Sequence, residues 1–475
     1  MPIKPVKAAL EVLAHDSRLD RPASETISYL MDLLYYGDFR ILQQVASADD
    51  HDYVNLIGAK GPSQGKKPLW LISTVATGQL PAPGHWERTN GNPFNPTIDE
   101  EWGLLYGMGA SSGKVDFICK LLAASTVGRE ELNRPLYVIG LFGEEARATG
   151  LGSVLDLSGG EGGYALIGAP TNLELCRTHP GLVSLRIRLN REVRHRRMPP
   201  IRGIFRLLVS GRSAHAQWPG LATNALERGF QVLETLKKEG DIRILSVTTD
   251  RGANRIPGSC ELIIATTYDN LPQLPPDVTI EALGDGVSVP FPVDGLIAFW
   301  ERGKRAIEKA FKETSLLGEG AVIPAERRVH FGELVSDRDS LSGTLTFWTG
   351  DITDPMAIAA QVAECFQQAP RKGDLIDVEI QVIQDRPHFE ATTENSPFLE
   401  GAQAVLNDQG LAPITSQGII TTDAGLLRQE GIETLVFGPG STGASLYRDN
   451  EAIPLRHIEA CYQFYVELIR RLCLK

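Results

Sequence analysis

Short apolar runs alternate with amphipathic segments over the first part of the chain. PLWLIST (68–74), PLYVIGLFG (135–143) and YALIGAP (164–170) read as strands. KVDFICKLLAAST (114–126) and a segment between 143 and 164 read as helices. The pattern returns at the end, where ETLVFGPG (433–440) precedes the helical run RHIEACYQFYVELIRRL (456–472). Strands alternating with helices predict a parallel sheet wrapped by helices. The middle has another texture, with strands such as GIFRLLVSG (203–211) and ELIIATT (261–267) and amphipathic helices near 223–238 and 355–368. It reads as an inserted α+β domain. Pro-rich NLPQLPPDVT (270–279) and the stretch to about 340 read as an extra loop-and-helix elaboration within it.

With 475 residues, 42% hydrophobic and 22% charged, the chain has the composition of an ordinary globular protein with two or three cores. A net charge of −12 speaks against general nucleic-acid binding. The basic stretch RLNREVRHRRMPPIRG (188–203) is expected to be a solvated hairpin turn between two apolar strands, with anion binding as the alternative. Six scattered cysteines without Cys-x-x-Cys spacing read as reduced, buried thiols. The N-terminal residues meet charge too early for a signal peptide, and no apolar run nears the ~18 residues of a membrane span. A soluble, cytoplasmic protein is expected.

GMGASSGK (107–114) resembles a phosphate loop, but Met108 stands where its first glycine belongs and Val115 follows the lysine. It also contains Ser111-x-x-Lys114, the spacing of a serine nucleophile and lysine base, without the Ser-Asp-Asn or Lys-Thr-Gly partners of such enzymes. A third reading comes from taking it together with IGLFGEEARATG (139–150), YALIGAPTN (164–172), SGRSAHAQWPGLATNA (210–225), GANRIPG (252–258) and LVFGPGSTGASLYRDNE (435–451). In this order, over nearly the whole chain, they resemble the zinc metallopeptidase family of aminoacylases, acetylornithine and succinyl-diaminopimelate deacylases and glutamate carboxypeptidases.

The resemblance implies an α/β fold: a mixed, mostly parallel sheet wrapped by helices, formed by residues 1–178 and 389–475. A lid and dimerisation domain, 179–388, interrupts it, with an extra segment at about 268–340. It further implies a pair of zinc ions held by two histidines and three carboxylates, with one more glutamate as general base. Matched residue by residue, most ligand places hold other chemistry. The strand LWLISTVATGQLP (69–81) has no His or Asp, Ser112 takes the bridging aspartate's place, and Ala169 precedes Pro170-Thr171 where an acidic ligand belongs. Tyr447 stands four residues before Glu451 in place of the last histidine. Glu145 keeps a ligand place, Glu144 the base's and Lys114 the family lysine's. His85, His179 and Asp116 lie near these motifs without the ligands' offsets. No metal or other cofactor is therefore expected.

The lid keeps His215, matching the histidine that in the family reaches across the dimer to the scissile carbonyl, and Asn254, matching a substrate contact. Asp423 and the loop Gly438-Pro439-Gly440 also match, while LTFWTGD (345–351) lacks the family's Asp-x-Arg. The expected site is thus Glu144 and His215 as catalytic residues, with Asn254, Ser112, Tyr447 and Asp423 as ligand contacts. Each also has a plainer role: Glu144 and Glu145 suit a helix N-terminus, and Asn254 and His215 suit turns. A homodimer through the lid and a small acyl-amino acid or peptide ligand are expected. Three functions stand open: a non-hydrolytic binding or scaffold protein, metal-free acyl chemistry using Glu144 and His215, or hydrolysis with one unusually held metal.

Overall fold

The computed structural model describes the chain apart from residues 1–2, 19–22, 49–50, 63–65, 78–85, 143–150, 152–161, 192–200, 239, 251, 268–270, 284–291, 313–314, 319–327, 352–353, 369–375, 391–395, 412–414, 419, 442 and 444–447. Two compact units result. The first comprises Met1–Gln79, Pro83–Gly181 and Arg386–Lys475, and the second Leu80–Ala82 and Leu182–Asp385.

The first unit is built on a nine-stranded sheet. At its centre Leu136–Leu141, Leu69–Thr74, Tyr164–Ile167 and Glu433–Val436 run parallel. Period-2 alternation buries both faces of these strands: Leu69 and Leu71 join one apolar core, Trp70 and Ile72 the other. The flanks are antiparallel, with the hairpin Arg40–Ala48 and His51–Lys60 on one side and Leu175–His179 with Phe389–Glu390 on the other. That hairpin and the helices Pro5–Leu13 and Ser24–Tyr36 before it extend the sheet and its covering beyond the elements read from the sequence. Among the described residues no helix is long and apolar enough to cross a membrane, and all six cysteines are buried free thiols.

Helix Gly113–Ala124 lies on the sheet against Leu455–Cys473 and Pro5–Leu13. Its first residue must be glycine, because a Cβ there would stand 1.9 Å from the carbonyl oxygen of Thr74. The helix buries two charges among its apolar contacts. Asp116 pairs with Lys120 one turn on, at 2.7 Å, and accepts hydrogen bonds from Ser73 Oγ at 2.6 Å and from the Tyr465 hydroxyl. Lys120 Nζ also donates to the Ile72 carbonyl at 2.7 Å. Two helices and the central strand are thereby fixed to one buried ion pair.

In the second unit an eight-stranded sheet runs in the order Val278–Leu283, Gly203–Ser210, Ser259–Thr266, Ile242–Thr249, Val329–Ser336, Ser340–Thr349, Gly181–Arg191, Ile376–Arg386. Helices Ala225–Lys237, Asp294–Ala310 and Pro355–Gln368 share its apolar core. Two expectations are corrected. The apolar runs flanking the basic stretch are strands but not a hairpin, since four strands separate Gly181–Arg191 from Gly203–Ser210 in the sheet. Alternation marks a strand's faces and leaves its neighbours open. The segment 268–340 supplies two strands as well as the helix Asp294–Ala310. The core of the basic stretch, 192–200, lies outside the described residues.

Removing one member of the buried ion pair strands the other charge. Lys120→Met should destabilise the protein by about 3–5 kcal/mol in urea unfolding. Adding Asp116→Asn should recover much of that loss, and a purely additive double mutant would count against the pairing.

Candidate functional site

Parallel strands deliver their carboxyl ends to one edge of the sheet, where α/β proteins place ligands. Leu69–Thr74, Tyr164–Ile167 and Glu433–Val436 end there, and the loops that follow interlock. Asn172 N–H donates to the Gly440 carbonyl at 2.8 Å and Leu173 N–H to Gly438 at 3.2 Å. Asn172 and Leu173 both have positive φ, at 60° and 63°, a costly conformation for a leucine that these bonds hold in place. Gly440 lies against Ser111, so GMGASSGK joins the same group of loops.

Glu451 fixes that loop from the opposite end of the chain. Its carboxylate accepts from Ser111 N–H at 2.7 Å and Gly109 N–H at 3.2 Å. Ser112 occupies the position before helix Gly113–Ala124, and its hydroxyl turns back to donate to the Gly109 carbonyl at 2.9 Å. Lys114 is fully buried and donates to the His15 carbonyl at 2.6 Å. Burial pushes its pKa down to about 7, against the opposing attraction of Asp16 and Glu451. Ala169, buried, stands beside Gly438. The described residues that continue the Leu69–Thr74 strand are Val75, Ala76 and Thr77. Among the described residues no group of three or more His, Cys, Asp or Glu could hold a metal. Glu144, Glu145, Tyr447 and His85 lie outside the described residues.

Asp423 and His179 form a separate buried group. Asp423 meets Arg386 at 2.5 Å; burial raises its pKa and the guanidinium opposes that shift. His179 donates from Nδ1 to the Pro180 carbonyl at 2.9 Å and accepts at Nε2 from Thr422 N–H at 3.3 Å. Both of its ring nitrogens are engaged, and burial lowers its pKa to about 4.

The second unit brings His215 and Asn254 together. Ala214–His215 pairs antiparallel with Arg255–Ile256, and Ala216 N–H donates to the Asn254 carbonyl at 2.9 Å. The Asn254 side-chain oxygen is buried without a hydrogen-bond partner among the described residues. His215 accepts at Nδ1 from Gln217 N–H at 3.3 Å and lies 6.4 Å, ring to ring, from Trp348. Burial, then the neighbouring His330, lowers its pKa to about 4, so the imidazole is neutral at pH 7. Sequence reasoning missed His330 and Trp348. Trp348 lies in the very LTFWTGD stretch set aside for lacking Asp-x-Arg, and nothing local marks His330.

A mixed α/β sheet with its loops gathered at parallel strand ends, and a second sheet inserted in the chain, is an architecture of metallopeptidases. The model of peptidase family M20/M25/M40 matches residues 80–471, and the chain belongs to that family. Acetylornithine deacetylase of Yersinia pseudotuberculosis is 28% identical over 257 residues, 54% of this chain and 64% of that protein. The match thus spans less than two thirds of that relative's length. The fold is shared with the M20 metallo-carboxypeptidase Sso-CP2 of Sulfolobus solfataricus, with 15% identity, TM-score 0.57 and coverage of 98% of this chain and 99% of that one. It is also shared with the di-peptidase Dug1p of Saccharomyces cerevisiae, with 12% identity, TM-score 0.58 and coverage of 98% and 95%.

Lys114 makes stability depend on pH. Between its folded pKa of about 7 and the unfolded 10.5 the unfolded chain binds the extra proton, so stability rises with pH in that window. The contribution approaches about 1.4 kcal/mol per pH unit. Urea unfolding at pH 7, 8 and 9 should show the wild type gaining over Lys114→Met as pH rises; parallel pH dependences would refute it.

Proposed function

We propose that this M20-family chain has lost the dinuclear zinc site and serves as a non-hydrolytic binding or scaffold protein for a small acyl-amino acid or peptide. The observation that carries the reading is Ser112, which stands at the bridging-carboxylate place with its hydroxyl spent on the Gly109 carbonyl. Zinc needs imidazole, thiolate or carboxylate donors. A serine hydroxyl is not deprotonated near neutral pH, and the Ala169 methyl group offers no donor at all. The residues present do not fit a zinc pair, so no hydrolytic step is assigned to one.

Retention of the surrounding frame supports a binding role. Glu451 orders the loop through backbone N–H groups, and His215 and Asn254 keep polar groups in the second unit. The match to acetylornithine deacetylase suggests the ligand class, an acylated amino acid. Six buried free thiols and an acidic surface balance support a cytoplasmic location.

Elemental analysis of protein purified without chelator should find well under one zinc per chain; two zincs bound through these loops would overturn the reading. In a thermal-shift screen, N-acyl amino acids or dipeptides should raise Tm and be recovered unchanged. A ligand at 100 times its Kd adds about 2.7 kcal/mol. Turnover that survives chelation and vanishes in Glu144→Gln would instead establish metal-free catalysis.

A further inference from the structure

Helix Gly113–Ala124 starts against the end of the central strand, where a Cβ on Gly113 would meet the Thr74 carbonyl oxygen at 1.9 Å. Its first helical bond runs to the Ser112 carbonyl, which leaves the N–H groups of Ser112, Gly113, Lys114 and Val115 without partners in the helix. Ser112 N–H finds the Gly109 carbonyl at 3.2 Å. Among the described residues the other three amides donate to nothing. The Ser112 side chain does not cap them, because its hydroxyl turns back to the Gly109 carbonyl at 2.9 Å.

Neither nearby acid takes the vacant capping role. Asp116, in the first turn, is spent on Lys120, Ser73 and Tyr465. Glu451 gives its oxygens to the amides of Ser111 and Gly109, further back in the loop. A second observation comes from the strand end. Thr77 is 3% exposed, and its hydroxyl has no partner among the described residues. Its methyl group and Ser112 Oγ converge on Gly109, 2.8 and 3.2 Å from the point where a Cβ would lie. Buried amides and a buried hydroxyl are costly to leave unpaired, and one acceptor placed among them satisfies all of them. Ser112, partly exposed beside these buried groups, gives that acceptor an approach from solvent.

We propose that this helix N-terminus is an anion site, with the amides of Gly113, Lys114 and Val115 and the Thr77 hydroxyl as its donors. Aligned peptide dipoles place partial positive charge at a helix start, and free amides there suit the oxygens of a small oxyanion. Lys114 adds a buried cation within the first turn, with its Nζ held on the His15 carbonyl at 2.6 Å. With the ligand class taken from the proposed function, on which this part rests, the anion is the carboxylate of an acylated amino acid. Serine at position 112 then reverses the charge preference of this loop: a place suited to a carboxylate that holds a cation becomes a receptor for a carboxylate.

Amide signals of Gly113, Lys114 and Val115, followed by heteronuclear NMR of the full chain with chelator present, read the site directly. N-acetylglycine should move them, and neutral N-acetylglycinamide should not. An equal response to both would overturn the anion site while leaving the binding of acyl ligands in place. Acetate and inorganic phosphate probe the site alone. If they shift these amides when neither acyl compound binds, the anion site stands and the ligand class falls; no shift with any of the three anions overturns the proposal. Ser112→Asp sets a carboxylate where it can cap the same amides. It should fold and bind N-acetylglycine at least about tenfold more weakly, the loss of one charge-assisted hydrogen bond. Undiminished affinity in that variant would refute the site. Thr77→Val keeps the shape and removes the hydroxyl, and should weaken the same anion by a similar factor, whereas wild-type affinity would exclude Thr77 as a donor.

Discussion

A buried carboxylate is tolerable only when its lone pairs are filled, and Asp116 has Lys120, Ser73 and Tyr465 for that purpose. Those partners come from its own helix, from the central strand and from the C-terminal helix, segments far apart in sequence. Satisfying one charge therefore sets the distance of helix Gly113–Ala124 from the sheet and the seating of Leu455–Cys473. Burial pushes the Lys120 ammonium down in pKa and the Tyr465 phenol well up, so both groups are held by mutual pairing rather than by water. The loop of GMGASSGK leads into this helix. Its position follows from the pair beneath it.

The loop that leads into the helix is held just as firmly. In this chain the loop is held by the Glu451 carboxylate on two backbone N–H groups, by Gly113 against Thr74, and by Lys114 on the His15 carbonyl. None of these contacts involves the Ser112 or Ala169 side chain. The loop's frame carries its own bonds. In the second unit burial keeps His215 neutral, and the strand Arg255–Ile256 paired with it is fixed through the backbone carbonyls of Ala253 and Arg255.

Several parts of this molecule were legible from the residues. The strands at 69–74, 136–141, 164–167 and 433–436 and the helix at 113–124 follow from apolar runs and their spacing. Motif order named the family, because loops at the ends of parallel strands keep fixed residues at fixed offsets. The N-terminal helices and hairpin escaped notice. Helix Pro5–Leu13 is short, and the strands Arg40–Ala48 and His51–Lys60 carry many polar residues, so neither gives a clear period.

By itself the sequence determined the alternation of strands and helices and the order of the motifs that mark the family. These are local properties: a residue's identity, its period, its distance from a motif. Tertiary structure alone decided that Gly181–Arg191 and Gly203–Ser210 lie four strands apart, that Asp423 belongs to Arg386, and that His330 and Trp348 gather around His215. Such pairings depend on which sheet edges and buried charges remain to be satisfied once every other element is placed. That condition involves the whole chain, and no window of sequence contains it.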